Sequence, residues 1–163
     1  MANGTIIRKI AVIFATDVVG FSELMQENEN VTLKSLRACR DILDRLFEEH
    51  GGRIFNTAGD SVLAEFQSAV SAVICATEFQ KLVKQRNLSM PEESQMRFRI
   101  GLNMGDVIIE GTNLYGEGVN NAARLEAFSQ PGGVSLSKTI HDFASQKVEL
   151  EFSDLGSQKV KNT

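Results

Sequence analysis

Two carboxylates in this chain stand where apolar stretches end. Asp17 closes KIAVIFATD, and Asp60 tips the turn inside FNTAGDSVLAEF. Brought together, two carboxylates repel and cost stability unless a cation sits between them. Hard oxygen ligands of this kind suit Mg²⁺ or Mn²⁺, usually held by one or two carboxylates plus the oxygens of a bound phosphate. Directly after Asp17, the run Val18-Val19-Gly20-Phe21-Ser22 offers successive backbone N–H groups at a helix start, which is an anion site. Both residues also have local readings. Asp17 can cap the short helix that follows it, and Asp60 can hydrogen-bond within its own turn. Taken alone, FNTAGDSVLAEF needs nothing more than a β-hairpin.

The elements that must position these groups are legible from periodicity. Residues 9–15 read as a strand buried on both faces, since apolar residues follow one another without alternation. A helical turn follows around 24–25, then a helix over 31–50 with Leu36, Cys39, Leu43, Leu46 and Phe47 at helical spacing, stopped by Gly51-Gly52. The hairpin comes next, then a helix over 68–85 and a surface loop over 87–95. A strand is expected over 97–102, turned at Gly105-Asp106 into a second strand over 107–110. Residues 120–128 read as helix, 134–136 as strand, 138–144 as helix and 148–152 as a last strand. This order predicts an α+β fold, at heart ferredoxin-like: an antiparallel-rich sheet with flanking helices. No linker or repeat divides the chain, so residues 1–163 read as a single domain with its core at about 8–162.

Composition narrows the partners. A chain of 163 residues that is 42% hydrophobic and 23% charged is that of a globular domain with a sizeable core. A formal charge of -4 and a pI near 5.3 argue against a nucleic-acid partner, which calls for a basic face. A small anionic ligand stays open, because a metal ion or a few amides can reverse the sign of one site. Cys39 and Cys75 lack metal-type spacing and read as buried thiols of a reducing compartment. The N-terminal apolar run is far too short to span a membrane and lacks the form of a signal peptide, so the expected localisation is cytoplasmic. His50 reads as a helix C-terminal residue, His141 as a surface residue and Asp106 as a turn residue.

Four segments in order, FATDVVGFSELM, NTAGDSVLAEF, RIGLNMGDVI and LYGEGVNNAARLEA, resemble the class III adenylyl/guanylyl cyclase catalytic domain, in its bacterial homodimeric form. The resemblance runs from Lys9 to Asn162. It implies a ferredoxin-like sheet and head-to-tail pairing of two domains, with active sites at their interface. Asp17 and Asp60 fall on the family's two metal-binding aspartates, for two Mg²⁺ or Mn²⁺ ions per site. The backbone carbonyl of Val18 would also touch metal, and the amides of Gly20, Phe21 and Ser22 would face the triphosphate. The implied reaction is in-line attack of ribose O3′ on the α-phosphate with loss of pyrophosphate. Asn120 and Arg124 match the family's transition-state pair, Asn to orient the ribose and Arg to offset phosphoryl charge. One helical turn separates them; otherwise they read as an Asn cap and an exposed Arg paired with a nearby Glu. Lys161, or less well Lys159, matches a C-terminal phosphate contact. The Arg that some members carry near Gly133 is absent.

Because each site in the family takes metal ligands from one chain and Asn and Arg from the other, the resemblance implies a homodimer with two equivalent sites and an inactive monomer. Base selection is where the sequence departs. The family's two base-reading positions fall on Asn56 and Asn113, where adenylyl cyclases usually have Lys and Asp or Thr, and guanylyl cyclases Glu and Cys. An amide can serve adenine or, flipped, guanine. No carboxylate stands at position 56 to accept from the guanine edge, which favours ATP over GTP, with a preference expected below about a hundredfold. The alternatives are a guanylyl cyclase and a catalytically weak nucleotide-binding regulator. An RNA-recognition module lacks its stacking aromatics, and a diguanylate cyclase would show GG[DE]EF where AGDS stands. Regulatory domains in a longer chain are the expected setting, as part of signal transduction.

Overall fold

The computed structural model describes residues 6–148. Strand β1 (Ile7–Val18) is fully buried from Ala11 to Thr16, because both its faces are covered. It extends past residue 15, so Asp17 lies within the strand instead of following it. Helix α1 (Phe21–Glu27) leads into α2 (Glu29–His50), capped by the Asn28 side chain, which accepts from the Val31 amide at 3.1 Å. The hairpin forms as β2 (Arg53–Ala58) and β3 (Ser61–Phe66), joined at Gly59-Asp60 with Gly59 at φ 59°. Helix α3 (Ala69–Leu88) follows, and its C-terminal end runs nearly one turn past the expected residue 85. The extra turn is held by Asn87, whose amide donates to Met96 O at 2.8 Å and whose carbonyl accepts from Met96 N at 3.1 Å.

The expected turn at Gly105-Asp106 does not exist. One strand, β4 (Phe98–Glu110), runs straight through, and the chain reverses at Gly111 (φ 61°) into β5 (Asn113–Tyr115). Gly105 is needed for a different reason: a Cβ there would press on Gly118 Cα and Asn103 Nδ2, each at 3.2 Å, so its bareness admits a helix. Asp106 is accordingly an exposed strand residue, paired with Arg8 at 2.7 Å. Helix α4 (Glu117–Phe128), strand β6 (Val134–Leu136) and helix α5 (Lys138–Ala144) complete the described chain. The strand expected over 148–152 lies, beyond Val148, outside the described residues.

The sheet order is β2-β3-β1-β4-β5, antiparallel throughout, with β6 parallel to β4. This is the ferredoxin-like α+β arrangement. Even-numbered residues of β1 (Val12, Phe14, Val18) point to a core with α2, α3 and α5, where Phe14, Phe47 and Phe66 meet with ring centroids 5.1–5.8 Å apart. Odd-numbered ones (Ala11, Ile13, Ala15) point to a second core closed by Val119 and Ala122 of α4. The outer strands bend toward each other: Arg53 on β2 donates to Thr112 O beside β5 at 2.7 Å. The same Arg53 and Lys9 hold Glu65, 5% exposed, at 3.0 and 2.6 Å. Burial opposes ionisation of Glu65, but these hydrogen bonds and charges outweigh it and lower its pKa. Both cysteines are buried, and burial pushes the Cys75 thiol up to about 12, so it is inert. No helix among the described residues is long and apolar enough to cross a membrane.

Candidate active site

Asp17 continues the odd-numbered face of β1 and so points toward α4, where the apolar core gives way to charge. Its ladder partner on β4 is Arg99, which is anchored by donating from Nε to Ser129 O at 3.0 Å. Asp60, at the tip of the neighbouring hairpin, reaches back to β1: its Oδ2 accepts from the Val18 amide at 2.8 Å. The structure therefore brings Asp17, Val18 and Asp60 to one end of the sheet. Val18 buries its side chain, 5% exposed, so only its backbone is available to a ligand.

A further carboxyl, which sequence reasoning missed, stands beside Asp17. Glu126 on α4 is hydrogen-bonded to Asp17. It arrives there because Gly101 on β4 has no side chain; a Cβ at that position would fall 2.3 Å from both Ala122 O and Glu126 N. Burial, the bond to Asp17 and the charges of Asp17 and Asp60 push the Glu126 carboxyl up to about 8, with Arg99 opposing. Asp17 is also raised, by its burial first and by Asp60, against the Glu126 bond and Arg99. One carboxyl of the pair keeps a proton, which is how the fold tolerates them side by side.

This arrangement predicts a pH dependence. The folded chain holds the Glu126 proton to about pH 8, whereas an unfolded chain releases it near the ordinary 4.5. The stability that proton contributes is thus complete below 4.5 and lost as pH rises through 8. Asp17, raised likewise, acts in the same direction. In EDTA, the melting temperature of the wild type falls between pH 6 and pH 8.5, and Glu126→Gln flattens that slope. Parallel slopes for the two proteins would remove Glu126 from this account.

The donor set fits a divalent cation. Asp17 Oδ1 is buried and no N–H or hydroxyl donor reaches it, so this end of Asp17 is left to the neighbouring Glu126 carboxyl or to a cation. Among the described residues, no three or more His, Cys, Asp or Glu side chains converge as a ready-made cage. A cation here would complete its shell with oxygens of water or of a bound phosphate, as Mg²⁺ prefers. Beside it, two of the five amides in the run after Asp17 are taken: Val18 N by Asp60, and Val19 N by Arg97 O at 2.8 Å. Gly20, in the left-handed conformation at φ 64°, turns the chain into α1, so the amides of Gly20, Phe21 and Ser22 are the ones this stretch presents.

Asn120 and Arg124 sit on α4 away from this cluster. Asn120 is no cap, since its own amide bonds Gly116 O at 3.0 Å inside the helix; its side chain is exposed. Arg124 reaches Asn121 Oδ1 at 3.0 Å. Arg124 lies two residues from Glu126, about 200° around the helix axis. When α4 turns Glu126 to Asp17 of its own chain, it turns Asn120 and Arg124 outward. Asn56 is exposed on β2 beside a bulge, and Asn113 lies on β5; the Arg53–Thr112 bond ties these two strands. Lys161 and Lys159 lie outside the described residues.

The family described as the adenylate and guanylate cyclase catalytic domain matches residues 5–163. The chain belongs to that family. It is 42% identical over 163 residues to putative adenylate cyclase 3 of Rhizobium meliloti (strain 1021), covering 99% of this chain and 28% of that protein. The crystal structure of an adenylate/guanylate cyclase/hydrolase from Silicibacter pomeroyi superposes with a TM-score of 0.89 at 39% identity, over 98% of this chain and 93% of that one. The guanylyl cyclase domain of the RhoGC fusion protein of Blastocladiella emersonii shares the fold with a TM-score of 0.77 at 21% identity, over 87% and 89% of the two chains. The cyclase domain described here spans only about a quarter of the length of its Rhizobium relative. As a nucleotide cyclase domain, adenylyl or guanylyl, it has the architecture expected from its four motifs.

Proposed function

We propose that this cyclase domain converts ATP to 3′,5′-cyclic AMP and pyrophosphate, as a head-to-tail homodimer with two shared sites, within a longer cytoplasmic signalling protein. The observation that carries the reading is the buried Oδ1 of Asp17, which no N–H reaches, placed with Asp60 at the start of three unengaged backbone amides. Asp17, Asp60 and the Val18 carbonyl would hold two Mg²⁺ or Mn²⁺ ions, which supply the charge that eases deprotonation of the ribose 3′-hydroxyl and steadies the leaving pyrophosphate. The amides of Gly20, Phe21 and Ser22 bind phosphate oxygens, and Lys161 adds a further contact. In the reaction, O3′ forms a bond to the α-phosphorus, the bond to the bridging oxygen breaks, and pyrophosphate leaves with that electron pair. Arg124 of the partner subunit offsets negative charge on the phosphoryl oxygens, and Asn120 of the partner subunit orients the ribose. The outward face that α4 gives these two residues supports a site completed by a second copy.

ATP is favoured over GTP because Asn56 stands where a carboxylate would serve guanine, and the Rhizobium relative carries the name of a putative adenylate cyclase. The test is chromatographic product analysis after incubation with Mn²⁺ and either ATP or GTP, with Asp60→Ala as control. Cyclic AMP that disappears in the control is the expected result. Cyclic GMP alone would make this a guanylyl cyclase, and no product from a demonstrated dimer would make it a nucleotide-binding regulator.

A further inference from the structure

The amide of Asn113 is not free to rotate. Its Oδ1 accepts from the Leu114 backbone N–H at 2.9 Å, and its Nδ2 donates to the Tyr115 hydroxyl at 3.0 Å. A backbone N–H can only donate, so the first contact settles which end of the amide is oxygen, and the second fixes the nitrogen end against Tyr115. The backbone beneath is itself held. Asn113 pairs with Glu110 across the β4–β5 turn, and Arg53 grips the adjacent Thr112 carbonyl at 2.7 Å. Tyr115 is 45% exposed, so its hydroxyl, having accepted from Asn113, still has its own proton to offer outward.

From this geometry we infer that Tyr115 is a specificity-determining residue, which locks the Asn113 amide so that the pair presents hydrogen-bond donors to the purine edge. The inference rests on the reading of Asn113 as a base contact and deepens it. The pair offers the second N–H of Nδ2 and the phenolic O–H, which match the ring acceptor adenine N1 and face donor to donor the N1–H that guanine carries there. An unrestrained asparagine would flip to suit either base. Held by Tyr115, it discriminates.

The test uses the 163-residue chain as its dimer, with Mn²⁺ and a fluorescent ribose-labelled ATP displaced by unlabelled ATP and GTP. Wild type, Tyr115→Phe and Asn113→Ala are compared, with melting temperatures alongside. Tyr115→Phe keeps the ring and removes one hydrogen bond. It is expected to shift the ratio of the two dissociation constants by about three- to tenfold, in favour of the nucleotide the wild type binds less well, with the melting temperature unchanged. A ratio that moves in Asn113→Ala and stays put in Tyr115→Phe overturns the role of Tyr115 and leaves Asn113 as a base contact. A ratio unmoved by either variant overturns both, and places base recognition elsewhere.

Discussion

Replacing Asp17 with asparagine is expected to reduce cyclase turnover by about a thousandfold or more, through the several kcal/mol of transition-state stabilisation that bound cations supply. The same substitution raises the melting temperature of the protein in EDTA by a few degrees. These opposite effects share one cause. Burial and the neighbouring Asp60 both disfavour the charged form of Asp17, so the fold would be better off without the charge. Asparagine keeps the shape and removes the repulsion, and with it the means of attracting a metal. Turnover and thermal melting at pH 8, on the same preparations, check both halves. A variant that retains a tenth of wild-type turnover would remove Asp17 from the metal site.

Arg124→Ala by itself is expected to lower turnover by about a hundred- to a thousandfold, the scale seen when one preorganised donor to a developing charge is removed. Mixing it with Asp17→Ala is the more informative experiment. In a mixed dimer one site combines both lesions, and the other combines intact Asp17 from one protomer with intact Arg124 from its mate. Random exchange makes half the dimers mixed, each with one working site of two. Two nearly inactive proteins should therefore recover about a quarter of wild-type activity on mixing. Failure to recover, with exchange of protomers demonstrated by differential labelling, would mean that each site is built from one chain. The prediction follows from α4: Glu126 faces the Asp17 of its own chain, and Arg124 stands about half a turn away.

How much of this was legible in the chain can be judged residue by residue. Asp17 and Asp60 could be picked out because each interrupts an apolar strand, where a charge needs a reason. Their meeting followed from the hairpin lying beside β1 in a ferredoxin-like order. Gly105 misled, because a glycine followed by an aspartate between apolar runs has the local chemistry of a turn. In the fold its missing side chain makes room for Gly118, and the reversal occurs at Gly111. Glu126 gave no local signal: in AARLEAF it has the look of an ordinary solvated helix charge. The orientation of Asn113 was equally hidden, since a side-chain amide reads the same in sequence whichever way it turns.

What the sequence by itself determined, then, is the order of elements, the two buried faces of β1 and the carboxylates at its end, because periodicity and the cost of burying charge act along the chain. The tertiary structure alone decided which of the amides after Asp17 are spent on neighbouring strands, that Glu126 joins Asp17, and that Arg124 faces outward. Those outcomes depend on how closely α4 approaches the sheet. That distance is set by the absence of a Cβ at Gly101, Gly105 and Gly118, contacts between residues far apart in the chain that no local pattern records.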